Sequence, residues 1–275
     1  MALNRTKIEW CDRTWNPVTG CFHRCEYCYA ADIARRFGGA EGGAKVRWIG
    51  NCVELDKPLY RMMTNGQRVY APFPFGFFPT FHRYRLEEPQ QEQKARNIFV
   101  GSMTDLFGSW VPFRWIRDVL DACLAAPWHR YLFLTKNQDQ YRHLNHMAFL
   151  PLHNFGPPDP ELLLEADFWF GITVTDQKSA ENSYRALLDG FHYLHIFWSV
   201  EPLHGPINMT SVYWDRTPEW VIIGAETGKR KDKIIPRREW VDNIASFCIR
   251  LGIPVFYKSS IRKLFPDLPP SQFPW

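Results

Sequence analysis

The chain has no run approaching the roughly 18 consecutive apolar residues that cross a bilayer, and its opening stretch MALNRTKIEW lacks the apolar centre of a secretory signal. Cysteine is scarce and odd in number, seven in 275 residues, which argues against a disulfide framework. These absences lead to the expectation of a cytoplasmic protein in a reducing setting. Heptads and low-complexity domains are also missing. An excess of one charge sign is nearly absent, since the formal balance is only +4, so composition alone does not imply a nucleic-acid partner. The glycine-rich GGAEGGAK at 38–45 lacks the Lys-Ser/Thr pair of a phosphate-cradling loop and follows a helix-like stretch, so it reads as a loop. NFGPPDPE at 154–161 and the closing FPDLPPSQFPW read as loop or tail.

What remains is ordinary globular material: 45% hydrophobic and 23% charged residues can bury a sizeable core without staples. A length of 275 residues suits a single α/β domain, so one domain over 1–275 with a C-terminal extension is expected. The high aromatic share, 16%, is read mainly as core, with stacking surfaces as the alternative.

Short runs rich in β-branched and aromatic residues alternate with amphipathic stretches, the pattern of repeated βα units on a parallel sheet. The spacing predicts strands at 14–20, 75–81, 97–102, 130–136, 168–174, 194–200, 220–226 and 253–259, the second being weak. VPFRWIRDVLDACLAA at 111–126 places Trp115, Ile116, Val119, Leu120 and Cys123 on one helical face, with Pro112 in the first turn. EYCYAADIARRF at 26–37 also reads as helix, stopped by Gly38 and Gly39. The expected fold class is α/β, a (β/α) barrel that is either a partial, six-stranded one or near-complete and TIM-like.

The sharpest local signal is GCFHRCEYCYA, where Cys21, Cys25 and Cys28 stand at a C-x3-C-x2-C spacing on a strand-to-helix loop. Three thiolates in so short a loop can bind three irons of a [4Fe-4S] cluster and leave the fourth open to an external ligand. Zinc is the competing reading, and would need His23 or Cys11 as its fourth ligand. Cys52, Cys123 and Cys248 are isolated in sequence, with no second C-x2-C, and the latter two read as core.

In a βα barrel the chemistry belongs at the C-terminal strand ends. There stand Ser102 and Asp105 after NIFVG, Lys136 after LFLT, Glu201 after FWSV, Glu226 after VIIGA and Lys258 after PVFY. Asp105, Glu201 and Glu226 are candidate acceptors, and Lys136 and Lys258 candidate donors; a solvated loop or a Lys–Glu pair at a barrel end is the plain alternative for each. The basic run GKRKDKIIPRRE at 228–239 follows a predicted strand and is a candidate anion-binding rim, or a solvated charged loop.

The cysteine loop resembles that of radical S-adenosylmethionine (SAM) enzymes. The blocks TKIEWCDRTWNPVTGC, FHRYRLEEP, IFVGSMTDLFG, FLTKN, FGITV, SVEPLHGPI, WVIIGAETG and IPVFYK, from Thr6 to Lys258, are similar in order to a phage and bacterial family of unknown function placed in the radical SAM barrel group. The chain departs from many members in its shorter gap between the first two cysteines and in Cys11, where they carry threonine. The resemblance implies a [4Fe-4S] cluster on Cys21, Cys25 and Cys28, which cleaves SAM to a 5'-deoxyadenosyl radical that abstracts hydrogen. It also implies Tyr27 beside the SAM adenine. Ser102, Asp105 and Glu201 are then the expected SAM contacts, and Lys136, Glu226 and Lys258 the expected catalytic or substrate-facing groups. With no second cluster motif, an external one-electron donor of flavodoxin or ferredoxin type is expected. The expected substrate is a nucleic acid or nucleotide-like anion, with a small metabolite or peptide as a neighbouring alternative. A non-catalytic iron-sulfur or zinc-binding phage accessory protein is the alternative from another class.

Overall fold

A computed structural model describes residues 3–41, 46–141, 166–188, 195–210 and 216–275. The stretch at 154–161, residues 42–45 of the glycine-rich loop and Leu194 of one expected strand lie outside these described residues. The described residues group into two compact units, 3–133 with 166–167 and 134–141 with 168–275.

In the first unit the order is β1 (Asn4–Arg5), β2 (Arg13–Trp15), β3 (Val18–Thr19), α1 (Tyr29–Phe37), β4 (Arg47–Ile49), β5 (Cys52–Leu55), β6 (Tyr60–Met62), β7 (Arg68–Tyr70), β8 (Thr80–His82), α2 (Glu88–Gln91), β9 (Asn97–Val100), α3 (Phe113–Leu124) and β10 (Arg130–Thr135). Strands β2, β9 and β10 form a parallel ladder with β1 antiparallel at its edge. A smaller mixed sheet runs in the order β3-β8-β5-β4, and β6 pairs with β7 as a hairpin. In the second unit come β11 (Asp167–Thr173), α4 (Gln177–Leu188), β12 (His195–Val200), β13 (Trp220–Ile223), α5 (Arg238–Arg250), β14 (Val255–Tyr257) and α6 (Ser259–Arg262). There β11, β12, β13 and β14 pair in parallel, in that order.

The class is thus mixed α/β with eight strands in mainly parallel ladders. Among the described residues no closed barrel is seen. The parallel strands were legible because they are apolar on both faces, as parallel strands between helix layers must be. In β12, Ile196, Phe197, Trp198 and Val200 are buried, and β13 is buried throughout. Helix α3 buries the expected face of Trp115, Ile116, Val119, Leu120 and Cys123, with Pro112 serving as its N-cap residue and not as its first helical residue. Two strand expectations change. The 14–20 run divides into β2 and β3, because the Asn16-Pro17 pair interrupts it and the Pro17 carbonyl accepts from His82 N at 2.7 Å, a bond to the smaller sheet. The 75–81 run is mostly turn, and only its last two residues enter β8.

The smaller sheet carries an internal polar chain. Thr19 Oγ1 meets His82 Nε2 at 2.9 Å, His82 Nδ1 meets the Tyr84 hydroxyl at 2.9 Å, and Tyr84 meets the Tyr70 hydroxyl at 3.1 Å. His82 is fully buried, and desolvation, helped by the nearby Arg85 charge, lowers its pKa to about 3. Its folded value lies below its unfolded one, so unfolding takes up a proton between those values; the stability is complete above the unfolded pKa and is lost as pH falls toward 3. Urea unfolding followed from pH 6 to pH 4 should show wild type losing up to about 1.4 kcal/mol per pH unit more steeply than His82→Gln. Equal slopes would show that His82 is not held neutral.

Candidate functional site: the cysteine loop

The loop that carries the three cysteines is anchored at Gly20. Gly20 N donates to the Met103 carbonyl at 2.9 Å, Thr104 Oγ1 donates to the Gly20 carbonyl at 2.7 Å, and Cys21 N donates to the Phe77 carbonyl at 3.1 Å. Gly20 has φ of +88°, and a Cβ there would stand 2.3 Å from the Phe78 carbonyl oxygen. Only glycine satisfies both conditions. The loop then turns at Arg24, whose φ of 55° is left-handed for a non-glycine residue. It closes when Cys28 N donates to the Cys25 carbonyl at 3.1 Å.

Cys28 is the N-cap of α1, so the helix begins at Tyr29, later than the sequence pattern implies. Its Sγ accepts from Ala31 N at 3.4 Å, and Cys21 Sγ accepts from His23 N at 3.5 Å. Two of the three sulfurs therefore sit where backbone N–H groups favour a thiolate. Desolvation by burial nevertheless raises the Cys21 pKa to about 12; the His23 N–H counters this, and Asp105, Cys25 and Cys28 add to it. An anion at Cys21 thus needs a cationic centre beside it, which suits a metal ligand and not a free nucleophile. Cys21, Cys25 and Cys28 are all half-buried and in no disulfide, whereas Cys52, Cys123 and Cys248 are wholly buried. Among the described residues no three His, Cys, Asp or Glu side chains gather closely enough to hold a single metal ion. A four-iron cluster takes one cysteine per iron and so spreads its ligands more widely than one ion does. The donor set fits such a cluster in residue type and in the hydrogen bonds at sulfur.

Around the loop, Ser102 Oγ donates to Asn16 Oδ1 at 3.1 Å, and its carbonyl accepts from the Tyr29 hydroxyl at 2.7 Å. Asp105 is 5% exposed and engaged on both oxygens: Oδ2 pairs with His23 Nε2 at 2.7 Å and Oδ1 accepts from Phe107 N at 3.0 Å. His23, the alternative zinc ligand, is therefore committed to a carboxylate. Tyr27 is half-buried in the loop, and it is Tyr29 that ties the helix start to Ser102. The sequence reading missed Asn16, Gly20 and Tyr29; the Asn16-Pro17 break and the glycine directly before Cys21 were the available signals.

An aromatic series leaves the loop. Phe22 lies 5.5 Å from Trp110 and 5.3 Å from Phe78, and Phe78 lies 5.8 Å from Trp48, which is 59% exposed.

In the second unit, Lys258 Nζ pairs with Glu201 Oε1 at 2.5 Å, while Ser199 Oγ donates to Glu201 Oε2 at 2.9 Å. Glu226 is held by Arg230 at 2.8 and 2.7 Å and by His204 at 3.3 Å. The Arg230 hydrogen bonds, and then its charge and His204, hold the Glu226 carboxyl below its ordinary pKa against the opposing effect of desolvation. Lys136 is half-buried just past the end of β10. The arginines of the basic run are paired: Arg230 with Glu226, Arg238 with Asp242 and Asp267, and Arg237 with Glu239, while Lys233 donates to the Gly228 carbonyl. Lys229 and Lys231 are its exposed remainder.

The fold and the anchored loop define a mixed α/β protein with a candidate metal-cluster site. The chain belongs to the family described as protein of unknown function DUF5131, whose model matches residues 5–262. No curated protein matches it. Among solved structures it is similar to a point mutant of spore photoproduct lyase, at 9% identity and a TM-score of 0.51 over 93% of this chain and 78% of that one. It is also similar to spore photoproduct lyase complexed with dinucleoside spore photoproduct, at 10% identity and a TM-score of 0.50 over 96% and 77%. At these identities the likeness is one of fold.

Gly20→Ala should cost about 2–4 kcal/mol in urea unfolding and displace the loop. Gly39→Ala is the control: its φ of +97° is equally left-handed, but a Cβ there meets nothing within 4 Å, so only the backbone cost of about 1 kcal/mol applies. Equal losses would deny the close approach its role.

Proposed function

We infer that the protein is a radical SAM enzyme whose [4Fe-4S] cluster is ligated by Cys21, Cys25 and Cys28 and whose substrate is a nucleic acid. The observation that carries this reading is the cysteine loop, with backbone N–H groups on the sulfurs of Cys21 and Cys28. Its setting is a fold similar to that of spore photoproduct lyase, a radical SAM enzyme. When bound, the cluster and SAM supply a carbon radical by reductive cleavage, with the electron coming from an external flavodoxin-like or ferredoxin-like donor.

The chain's own residues would hold and orient. In this reading the parallel strands form a partial barrel, and Tyr27 packs beside the SAM adenine. Ser102, braced by Asn16, and Asp105, braced by His23, offer fixed polar groups near the loop. Glu201 serves as a further SAM contact, already positioned by Ser199 and Lys258. Lys136, Glu226 and Lys258 serve the substrate. Glu226 stays an anion through its pairing with Arg230, so its task is to accept hydrogen bonds and not to give up a proton.

Support for a nucleic acid comes from two sides. One of the similar structures holds a dinucleoside. The aromatic series from Phe22 through Phe78 to the exposed Trp48 is also a surface of the kind on which bases stack. The basic run contributes less than its composition implies, because Arg230, Arg237 and Arg238 are paired internally.

Anaerobic reconstitution with iron and sulfide, followed by reduction with SAM present, should release 5'-deoxyadenosine from wild type and from Cys123→Ala, and none from Cys25→Ala. Protein that holds one zinc and never consumes SAM would overturn the enzyme reading. Trp48→Ala should weaken binding of a single-stranded oligonucleotide by about 1–3 kcal/mol while leaving the iron content unchanged. Wild-type binding that does not saturate, or that is insensitive to salt, would remove the nucleic acid from the proposal.

A further inference from the structure

A cavity of about 330 Å³ opens in the first unit, in the range of small-ligand sites. Its polar lining is Asn4, Asn16, Thr19, Tyr70 and Arg85, of which Asn4 is exposed, and its apolar lining includes Phe73 and Met103. Phe73 and Met103 also pack with Ala30, Ala34 and Cys28, so the cavity shares a wall with the start of α1.

Asn16 is 5% exposed, and its Oδ1 accepts from both Ser102 Oγ and Met103 N. A backbone N–H can only donate, so the oxygen must face Met103 and the amide nitrogen must face away from it. That nitrogen has no partner among the described residues, although it belongs to a cavity-lining side chain. It is a donor, on a side chain that lines the cavity, for which the described residues supply no acceptor.

The Thr19–His82–Tyr84–Tyr70 chain begins and ends on this same cavity. A neutral imidazole carries one N–H, so two arrangements run in one direction along the whole chain. With the proton on Nδ1, His82 donates to Tyr84, Tyr84 donates to Tyr70, and Tyr70 has its own O–H to give; Thr19 then donates to Nε2 and keeps lone pairs to offer. With the proton on Nε2 every bond reverses: Thr19 gives its O–H to the cavity and Tyr70 accepts from it. In either arrangement one end donates and the other accepts. With the Asn16 amide, the two ends of this chain therefore present two donors and one acceptor to the cavity. Arg85 adds no net charge, because its Nε and Nη2 bind the two oxygens of Glu88, each at 3.0 Å, and it contributes only further N–H donors.

We propose that this cavity binds a small uncharged planar heterocycle with an imide or lactam edge, its carbonyl oxygens on Asn16 and one end of the Thr19–Tyr70 chain, its N–H on the other end, and its faces against Phe73 and Met103. An imide edge carries two acceptors flanking one donor, the complement of what Asn16 and the two chain ends present. A carboxylate or phosphate would find no unpaired cation there, and a purely apolar guest would leave the Asn16 donor unmet. The site needs neither iron nor SAM.

The test is calorimetric titration of metal-free protein with uracil, 3-methyluracil and benzoate. Uracil should bind saturably, 3-methyluracil should bind about fivefold to tenfold more weakly for want of its N–H, and benzoate should not bind. Tyr70→Phe removes the hydroxyl at one end and should weaken uracil by a similar factor; Asn16→Asp replaces the donor with an acceptor and should abolish binding. Should Asn16→Asp fail to fold, Tyr70→Phe still decides. No saturable uracil binding, equal binding of 3-methyluracil, or an unchanged affinity in Tyr70→Phe would overturn the proposal. Because the protein is metal-free, any such failure leaves the cluster reading untouched, and loss of the cluster reading leaves this one untouched.

Discussion

The close passage of Gly20 beneath the Phe78 carbonyl is the constraint on which the cysteine loop depends. There the chain leaves β3 and must turn toward α1 while bonded on one side to Met103 and Thr104 and crowded on the other by Phe78. A residue with a Cβ cannot take that path, so the loop direction is set before the first cysteine is reached. The left-handed Arg24 and the Cys28 cap then complete the short path from Cys21 to the start of α1. The price of this tight path is backbone strain and half-buried thiols, an environment in which a bound metal cluster would stabilise the loop.

The sulfur environment links local backbone to chemistry. Hydrogen bonds from His23 N and Ala31 N lower the cost of negative charge on Cys21 and Cys28, while burial and the Asp105 carboxylate raise it at Cys21. These opposing effects favour thiolates that are neutralised by a cation and disfavour thiolates that are free. Asp105 is in turn committed to His23 and to Phe107 N, so it braces the loop rather than standing idle beside it.

Much of this was legible in the sequence, for definable reasons. NIFV, RYLFLT and HIFWSV are apolar on both faces and announce parallel strands, and the three-to-four spacing of Trp115, Val119 and Cys123 announces a helix face. The strands of the smaller sheet are two to four residues long; β4 is largely exposed, and β8 contributes only Thr80, Phe81 and His82, so no alternation of adequate length marks them. Pairings of that kind are decided by partners far along the chain. The cysteine spacing was plain, but Asn16, Gly20 and Tyr29 act through backbone and long-range bonds that spacing does not encode. The basic run from 228 to 239 was visible as charge, whereas the pairing of its arginines with Glu226, Asp242 and Asp267 required the fold.

The central claim is that this loop holds four irons on three cysteines and leaves one iron open. Mössbauer spectroscopy of protein reconstituted with iron-57 measures this directly, before and after SAM is added. The account predicts a four-iron signal in which a single iron, one of the four, changes its parameters with SAM while the other three do not. A mononuclear metal signal, or a cluster whose irons all ignore SAM, would contradict it.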